Sequence, residues 1–162
     1  MTRILLISDS HGGKYHLSMI PDFCRKNNID RVFHLGDIVE DARWLEKQLD
    51  IPLSYVAGNC DWTARCDREL RVNIEGKRLL LVHGDRFDVK YGCDRLSYYA
   101  EENMMDAALF GHTHRPMAAY VGHALLVNPG ALKNGSLCVL DVSAKDIVPR
   151  ILDIDKEGET RQ

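Results

Sequence analysis

Five short segments of this chain place a potential metal ligand directly after an apolar, β-rich run. Together they supply about seven oxygen and nitrogen donors and no thiolate. Such donors suit a pair of divalent cations that catalyses hydrolysis, whereas structural zinc sites usually contain cysteine. The segments are Asp9-Ser10-His11, Gly36-Asp37, Gly58-Asn59, His83-Gly84 and Gly111-His112-Thr113-His114.

Each segment alone also has an ordinary structural explanation. Asp9 and Asn59 could be turn residues, and Asp37 could cap a helix. A single histidine at the end of a strand, such as His83, is more often structural than a ligand. Three histidines at equivalent positions after strands are harder to assign to chance, so the joint pattern indicates a metal site.

The first third of the chain repeats a strand, a loop and a helix. Apolar runs predict strands at Arg3–Ser8, Arg31–Leu35 and Leu53–Ala57, and helical spacing of apolar residues predicts a helix at Tyr15–Asn28 and another through Leu45. This order predicts a parallel sheet. Open α/β sheets bind ligands at the carboxyl ends of their strands, which is where the candidate ligands follow.

The remainder of the chain predicts a change to mainly antiparallel pairing. Glu75-Gly76-Lys77 lies between two apolar runs and indicates a hairpin, and a helix is expected at Lys90–Asn103. The fold class is therefore α/β, with two packed mixed sheets and helices outside, in one domain at 1–154 and a frayed polar tail at 155–162. Further strands are predicted at Ala107–Phe110, Met117–Tyr120, Ala124–Asn128, Ser136–Val142 and Ile147–Leu152.

Composition narrows the class of protein. A length of 162 residues fits one domain, and a net charge of −3 offers no general basic surface for nucleic acid. The apolar stretch Ile4–Ile7 is too short for a signal peptide, and no stretch approaches a membrane span. Five cysteines without a C-x-x-C pair are typical of a reduced cytoplasmic protein. The oligomeric state stays open, with a homo-oligomer allowed.

In sequence order, the motifs D-x-H, G-D, G-N-x-D, H-G and G-H-T-H resemble those of the calcineurin-like metallophosphoesterase superfamily, in its small single-domain bacterial and archaeal branch. Asn128-Pro129-Gly130 resembles a turn that is common in this branch. The resemblance implies a four-layer α/β-β/α sandwich. It also implies two divalent metal ions, with Mn²⁺ expected and Fe²⁺, Ni²⁺ or Zn²⁺ as alternatives.

The resemblance further implies a division of the ligands between the two metals. By motif position, one metal is held by Asp9, His11, Asp37 and His114, and the other by Asp37, Asn59, His83 and His112. Asp37 is then the bridging ligand, and a metal-bridging hydroxide attacks phosphorus in line. Asp37, Asn59 and His112 are the expected catalytic residues.

Two positions depart from the family pattern. Larger members have histidine where this chain has Cys60, and a thiol is a weak general acid, so Cys60 is either a poor proton donor or a packed thiol. Asp85 stands where relatives more often have histidine, and its carboxylate could orient a metal ligand or repel an anionic substrate. His34 is expected to support the ligands from outside the metal site.

The expected activity is hydrolysis of a small phosphoester, with a diester as the expected substrate. The alternative is a protein-interaction scaffold that resembles a retromer subunit of the same fold, with a weak or vestigial catalytic pocket. Because every expected ligand position is filled, the sequence favours the enzyme.

Overall fold

The structure is a computed structural model that describes residues 1–62 and 65–156. The first third of the chain alternates strands and helices, as the sequence predicts. The strands β1, β2 and β3 pair in parallel, because each returns through a helix before the next begins. The elements are β1 (Thr2–Ile7), α1 (Lys14–Lys26), β2 (Arg31–His34), α2 (Val39–Gln48) and β3 (Leu53–Tyr55).

The second part of the chain contains the predicted hairpin, one helix and five further strands among the described residues. The hairpin strands pair antiparallel across Glu75-Gly76, and both turn residues have positive φ. The elements are β4 (Glu69–Ile74), β5 (Lys77–Val82), α3 (Asp94–Glu102), β6 (Ala107–Leu109), β7 (Met117–Val121), β8 (Ala124–Asn128), β9 (Ser136–Val142) and β10 (Ile147–Asp153).

The strands form two five-stranded mixed sheets. One has the order β10-β9-β1-β2-β3 and the other β4-β5-β6-β8-β7. Successive side chains of β1 face two different cores. Ile4 and Leu6 pack between the sheets, whereas Leu5 and Ile7 pack under α1 and α2. On the second sheet, α3 covers a third core. This is the predicted four-layer sandwich, and the prediction is confirmed.

The helix predicted at Lys90–Asn103 is shorter than expected. A 3₁₀ turn spans Val89–Tyr91, and α3 begins only at Asp94. Between them lies Gly92 with a φ of 135°, a conformation outside the helical region that glycine adopts without a side-chain clash. The apolar spacing extends across this break, so the sequence pattern alone joins two separate elements.

A turn at 154–156 joins the predicted domain to the predicted tail. Asp155 accepts a hydrogen bond from His16 Nε2 at 2.9 Å, and Ile154 N donates to Gly135 O at 2.8 Å. The rest of the predicted tail, 157–162, lies outside the described residues.

The core between the sheets should dominate stability. Leu81 is fully buried there, so Leu81→Ala removes apolar contacts and leaves a cavity, and we expect a loss of about 2–5 kcal/mol in the free energy of unfolding. Chemical denaturation measures this loss. Val148→Ala is the control, because Val148 on β10 is 48% exposed and should change stability by less than about 0.5 kcal/mol. Equal effects of the two substitutions would contradict the assignment of this core.

Candidate metal centre

Loops after five strands meet at one edge of the sandwich. Asp9 follows β1, Asp37 follows β2 and Asn59 follows β3, all in the first sheet. His83 follows β5 and the segment 111–114 follows β6 in the second sheet. The site therefore draws groups from both sheets, at the carboxyl ends of their strands.

The carboxylate of Asp9 is aimed into this site with one oxygen unsatisfied. Its Oδ2 accepts hydrogen bonds from Ser8 Oγ at 2.7 Å and from the His112 amide at 3.0 Å. Its Oδ1 is buried, and no described residue donates a hydrogen bond to it. A buried carboxylate oxygen without a donor is costly, and a bound cation would remove that cost.

Two imidazoles converge on this free oxygen. His114 Nε2 lies 3.3 Å and His11 Nε2 3.7 Å from Asp9 Oδ1, and the two ring nitrogens are 3.3 Å apart. One oxygen and two nitrogens at these separations can bind a single cation placed between them. The structure thus brings together Asp9, His11 and His114.

The second group of donors surrounds His83. Its Nδ1 donates a hydrogen bond to Leu35 O at 2.8 Å, so in the neutral ring Nε2 carries a lone pair. That Nε2 lies 3.0 Å from Asn59 Oδ1, 3.2 Å from His112 Nδ1 and 3.4 Å from Asp37 Oδ2. Acceptors that face each other at such distances repel unless a proton or a cation lies among them. The donor set therefore fits a second divalent cation.

Asp37 lies between the two groups. Its Oδ2 is 3.4 Å from His83 Nε2 and 3.9 Å from His11 Nε2, while Oδ1 accepts a hydrogen bond from the Cys60 amide at 2.9 Å. Burial raises the pKa of Asp37, but His83 and the Cys60 amide outweigh burial, and its net pKa is well below the usual range. Asp37 is therefore ionised, and one of its oxygens faces both groups.

The same charges act on His83. Burial lowers the pKa of His83, but the carboxylates of Asp37 and Asp9 outweigh it, and the net pKa is raised. A proton at Nε2 can thus balance the acceptors in the way that a cation would. Protons and metal ions consequently compete for this nitrogen.

Five of the candidate ligands have positive φ, which residues with side chains seldom adopt. Such backbone costs on the order of 1–3 kcal/mol per residue and occurs mainly where function requires it, although Asp and His tolerate it better than most residues. The residues are Asp9 (φ 53°), His11 (46°), Asp37 (54°), His112 (71°) and His114 (62°).

Two glycines allow the loops to approach the carboxylates. A Cβ at Gly58 would lie 2.2 Å from Asp37 Oδ1, and a Cβ at Gly111 would lie 2.1 Å from Ser8 Oγ and 2.7 Å from Asp9 Oδ2. No side chain fits at either position. These glycines are therefore required by the close contact of loops from different strands.

His34, which the sequence analysis expects outside the metal site, hydrogen-bonds two of the loops. Its Nδ1 accepts a hydrogen bond from the Gly36 amide at 3.2 Å, so Nε2 donates to Ser10 Oγ at 3.0 Å. The ring is fully buried, and burial lowers the pKa of His34 to about 4. His34 thus connects the loops after β1 and β2 as a neutral group.

Two further residues hold the loops, although sequence reasoning gave them no such role. Buried Asp61 accepts hydrogen bonds from the amides of Val39 and Gly58, both at 2.9 Å, and so caps α2 while fixing the loop after β3. Asn128 donates to Gly111 O at 3.1 Å and to Thr113 Oγ1 at 3.0 Å. The G-N-x-D spacing and the Asn-Pro-Gly turn were the available signals.

The two departures from the family pattern act on different candidate ligands. Cys60 is exposed, and its Sγ lies within 4.8 Å of donor atoms of His11 and Asp37. Burial and the Asp37 charge both raise the pKa of the Cys60 thiol. Asp85 lies in a 3₁₀ turn at Asp85–Phe87, close enough to His112 to raise its pKa, although burial and His83 leave the net pKa of His112 lowered.

A protein-family model for the calcineurin-like phosphoesterase superfamily domain matches residues 2–145. The chain belongs to this superfamily. It is similar to the probable metallophosphoesterase YsnB of Bacillus subtilis, at 30% identity over 130 residues that cover 80% of this chain and 75% of YsnB. It is also similar to the phosphodiesterase YfcE of Escherichia coli, at 25% identity over 82% of this chain and 80% of YfcE.

Solved structures agree with the fold. A predicted phosphoesterase from Streptococcus pneumoniae superposes with a TM-score of 0.79 at 26% identity, covering 95% of this chain and 90% of that one. Vps29 of Entamoeba histolytica, in complex with Zn²⁺, superposes with a TM-score of 0.74 at 16% identity, covering 94% of this chain and 99% of Vps29. At that identity, the likeness to Vps29 concerns the fold alone.

The buried neutral His34 should make the metal-free protein sensitive to acid. Its folded pKa of about 4 lies below the ordinary 6.5, so between pH 6.5 and 4 the unfolded chain binds a proton that the folded chain does not. Stability should fall as pH decreases through this window, by on the order of 3 kcal/mol from this group. Denaturation in chelator at several pH values should show a smaller decrease for His34→Asn.

His123→Asn is the control, since His123 is exposed and should keep the wild-type decrease. If His34→Asn lost stability with pH as steeply as wild type, a neutral buried His34 would be ruled out.

Proposed function

We propose that this protein is a phosphodiesterase that depends on two divalent metal ions, with Mn²⁺ as the preferred metal. The observation that carries the proposal is the convergence of possible metal donors: Asp9 Oδ1 has no hydrogen-bond donor among the described residues, and the second nitrogen of His83 faces Asn59 Oδ1, Asp37 Oδ2 and His112 Nδ1. The family supports phosphoester hydrolysis, and the similarity to the phosphodiesterase YfcE supports a diester.

The proposal keeps the division of ligands that the family resemblance implies. Asp9, His11, Asp37 and His114 would hold one cation, and Asp37, Asn59, His83 and His112 the other. Two divalent ions supply a nucleophile from water at neutral pH and neutralise charge on the phosphoryl group. Hydrolysis adds water across the ester: an oxygen–phosphorus bond forms, the P–O bond to one alcohol breaks, and that alcohol leaves with a proton.

The proposed ligands would leave the metal-loaded site with a net positive charge. Asp9 and Asp37 are the two carboxylates of the proposed ligand set and neutralise only half the charge of two divalent cations. Asn59 contributes a neutral carbonyl, and the hydrogen bond to Leu35 O keeps His83 oriented with its free nitrogen inward. An anionic phosphodiester is therefore attracted to the site.

The proton donor expected beside the leaving alcohol is the thiol of Cys60, which is a weak donor. Cys60 lies beside His11 and Asp37, and its raised pKa keeps the thiol protonated at neutral pH. A thiol forms weak hydrogen bonds, so substrates whose alcohols leave readily should react best. This property favours activated diesters over unactivated ones.

The alternative is the protein-interaction scaffold of the same fold. The fold likeness to Vps29 is compatible with it. No helix among the described residues is long and apolar enough to cross a bilayer. The converging acceptors favour the enzyme, because a vestigial pocket has no need to retain them.

Removing the charge of Asp37 tests the proposal directly. Asp37→Asn keeps the shape of the side chain but not its charge, so we expect fewer bound Mn²⁺ per chain and at least a hundredfold lower turnover of bis-p-nitrophenyl phosphate. Elemental analysis and initial rates measure the two effects, and circular dichroism checks the fold. Asp146→Asn, in the exposed turn between β9 and β10, is the matched control.

Metal dependence is measured on the same preparations. Mn²⁺ or Fe²⁺ should activate the protein better than Mg²⁺, since mixed oxygen and nitrogen ligands suit transition metals, and chelation should abolish turnover. Turnover of Asp37→Asn within about tenfold of wild type, or full activity in excess chelator, would refute the proposal. Wild-type protein that binds two Mn²⁺ but hydrolyses no phosphoester would favour the scaffold.

The two departures from the family pattern should have separable effects. Cys60→Ser should leave turnover of the p-nitrophenyl diester nearly unchanged, because that leaving group needs little protonation. Asp85→Asn removes a negative charge near His112, so kcat/KM should rise more for p-nitrophenyl phosphate, a doubly charged monoester, than for the singly charged diester. Asp88→Asn, with an exposed carboxylate that pairs with Arg95, is the control.

Equal gains on the two substrates for Asp85→Asn would show that charge repulsion is not the contribution of Asp85. A large loss for Cys60→Ser on the activated diester would instead give Cys60 a role in the first chemical step.

A further inference from the structure

A groove of about 520 Å³ opens beside the candidate metal centre. Thr113 lies on its edge and stands between His112 and His114 in the chain, so the groove and the centre share one loop. Hydrogen bonds from Asn128 Nδ2 and from the Arg115 amide to Thr113 Oγ1 hold this edge in place. The volume lies within the ~300–1,000 Å³ typical of small-molecule sites.

The floor of the groove is apolar. Val89 and Phe110 lie behind this floor, 4% and 0% exposed, and belong to the core under α3. The apolar surface open to a ligand therefore belongs to the exposed Pro116 and the half-buried Met117. Met117, at the start of β7, borders the same space, and its sulfur lies 3.9 Å from Cys93 Sγ. This surface suits a planar or apolar group, since such a group would displace water from apolar side chains.

The rim of the groove is positively charged. Lys90 and Arg115 line it and are exposed, and neither side chain forms a salt bridge with any residue that the structure describes. None of the described lining residues carries a carboxylate.

We propose that this groove binds a nucleotidyl arm of the phosphodiester substrate, with the nucleoside against Pro116 and Met117 and a second phosphate between Lys90 and Arg115. The inference rests on the proposed function. A nucleoside with a further phosphate combines the planar apolar body and the anion that the groove accommodates. Cys60, the residue expected beside the leaving oxygen, does not line the groove, so the groove receives the arm that phosphorus retains.

Two activated diesters with the same leaving group measure the contribution of the second phosphate apart from that of the nucleoside. They are the p-nitrophenyl ester of thymidine 5′-phosphate and the same compound with an added 3′-phosphate. In Mn²⁺-loaded wild type, the added phosphate should raise kcat/KM by tenfold or more. Lys90→Met/Arg115→Met should remove that gain, whereas the charge-matched control Lys47→Met/Lys145→Met, with both lysines exposed elsewhere, should keep it.

The apolar floor is tested with methyl p-nitrophenyl phosphate, which has no planar second arm. Met117→Trp fills part of the groove, so it should lower kcat/KM for the thymidine ester at least fivefold relative to the methyl ester. A gain from the 3′-phosphate below twofold in wild type, or retention of that gain in Lys90→Met/Arg115→Met, would overturn the proposal. Equal losses on the thymidine and methyl esters in Met117→Trp would overturn the placement of the nucleoside.

Equilibrium binding separates failure of the groove from failure of the proposed function. Thymidine 3′,5′-bisphosphate is titrated calorimetrically into metal-free wild-type protein in chelator, where no hydrolysis occurs. We expect Lys90→Met/Arg115→Met to weaken binding tenfold or more relative to Lys47→Met/Lys145→Met. If wild type hydrolyses no diester, this measurement decides the groove alone, and a wild-type Kd weaker than about 10 mM or equal affinities of the two variants would refute it.

Discussion

Mutual repulsion among acceptor atoms is the constraint on which the organisation of this protein depends. The free oxygen of Asp9, the inward nitrogen of His83 and the carbonyl of Asn59 occupy one small space, and their lone pairs repel one another unless a proton or a cation lies among them. The folded chain holds them there through the amides of neighbouring loops: the His112 amide restrains Asp9, and the Cys60 amide restrains Asp37. Hydrogen bonds to the outer oxygens leave the inner ones directed at the centre.

Much of this arrangement follows from local sequence patterns. Apolar runs predict nearly every strand to within about two residues, because buried strands in a four-layer sandwich need apolar side chains on both faces. Ile4 to Ile7 illustrate this, since alternate residues face different cores and no polar alternation is left. The position of the site follows as well, because Asp9, Asp37, Asn59 and His83 stand directly after such runs.

Other features depend on contacts between distant segments, which the sequence does not display. Asp9, Asp37 and His112 have positive φ because tertiary contacts impose it. Aspartate and histidine tolerate this backbone conformation but do not by themselves predict it. Asp61 appears in sequence as one more turn residue, yet it joins the start of α2 to the loop after β3. The late start of the helix that the sequence predicts from Lys90 depends on Gly92, whose backbone lies outside the helical region.

Each proposed cation position uses residues that follow strands of both sheets. Asp9 and His11 follow a strand of the first sheet, and His114 follows a strand of the second. Asp37 likewise faces His83 across the boundary between the two sheets. Neither sheet alone assembles a complete donor set. A one-residue slip of β1 against its neighbours would turn its side chains to the opposite face and carry Asp9 away from the histidines. Metal affinity between the two sheets therefore depends on the correct strand register throughout the sandwich. A chain with the wrong register would not form even part of the site.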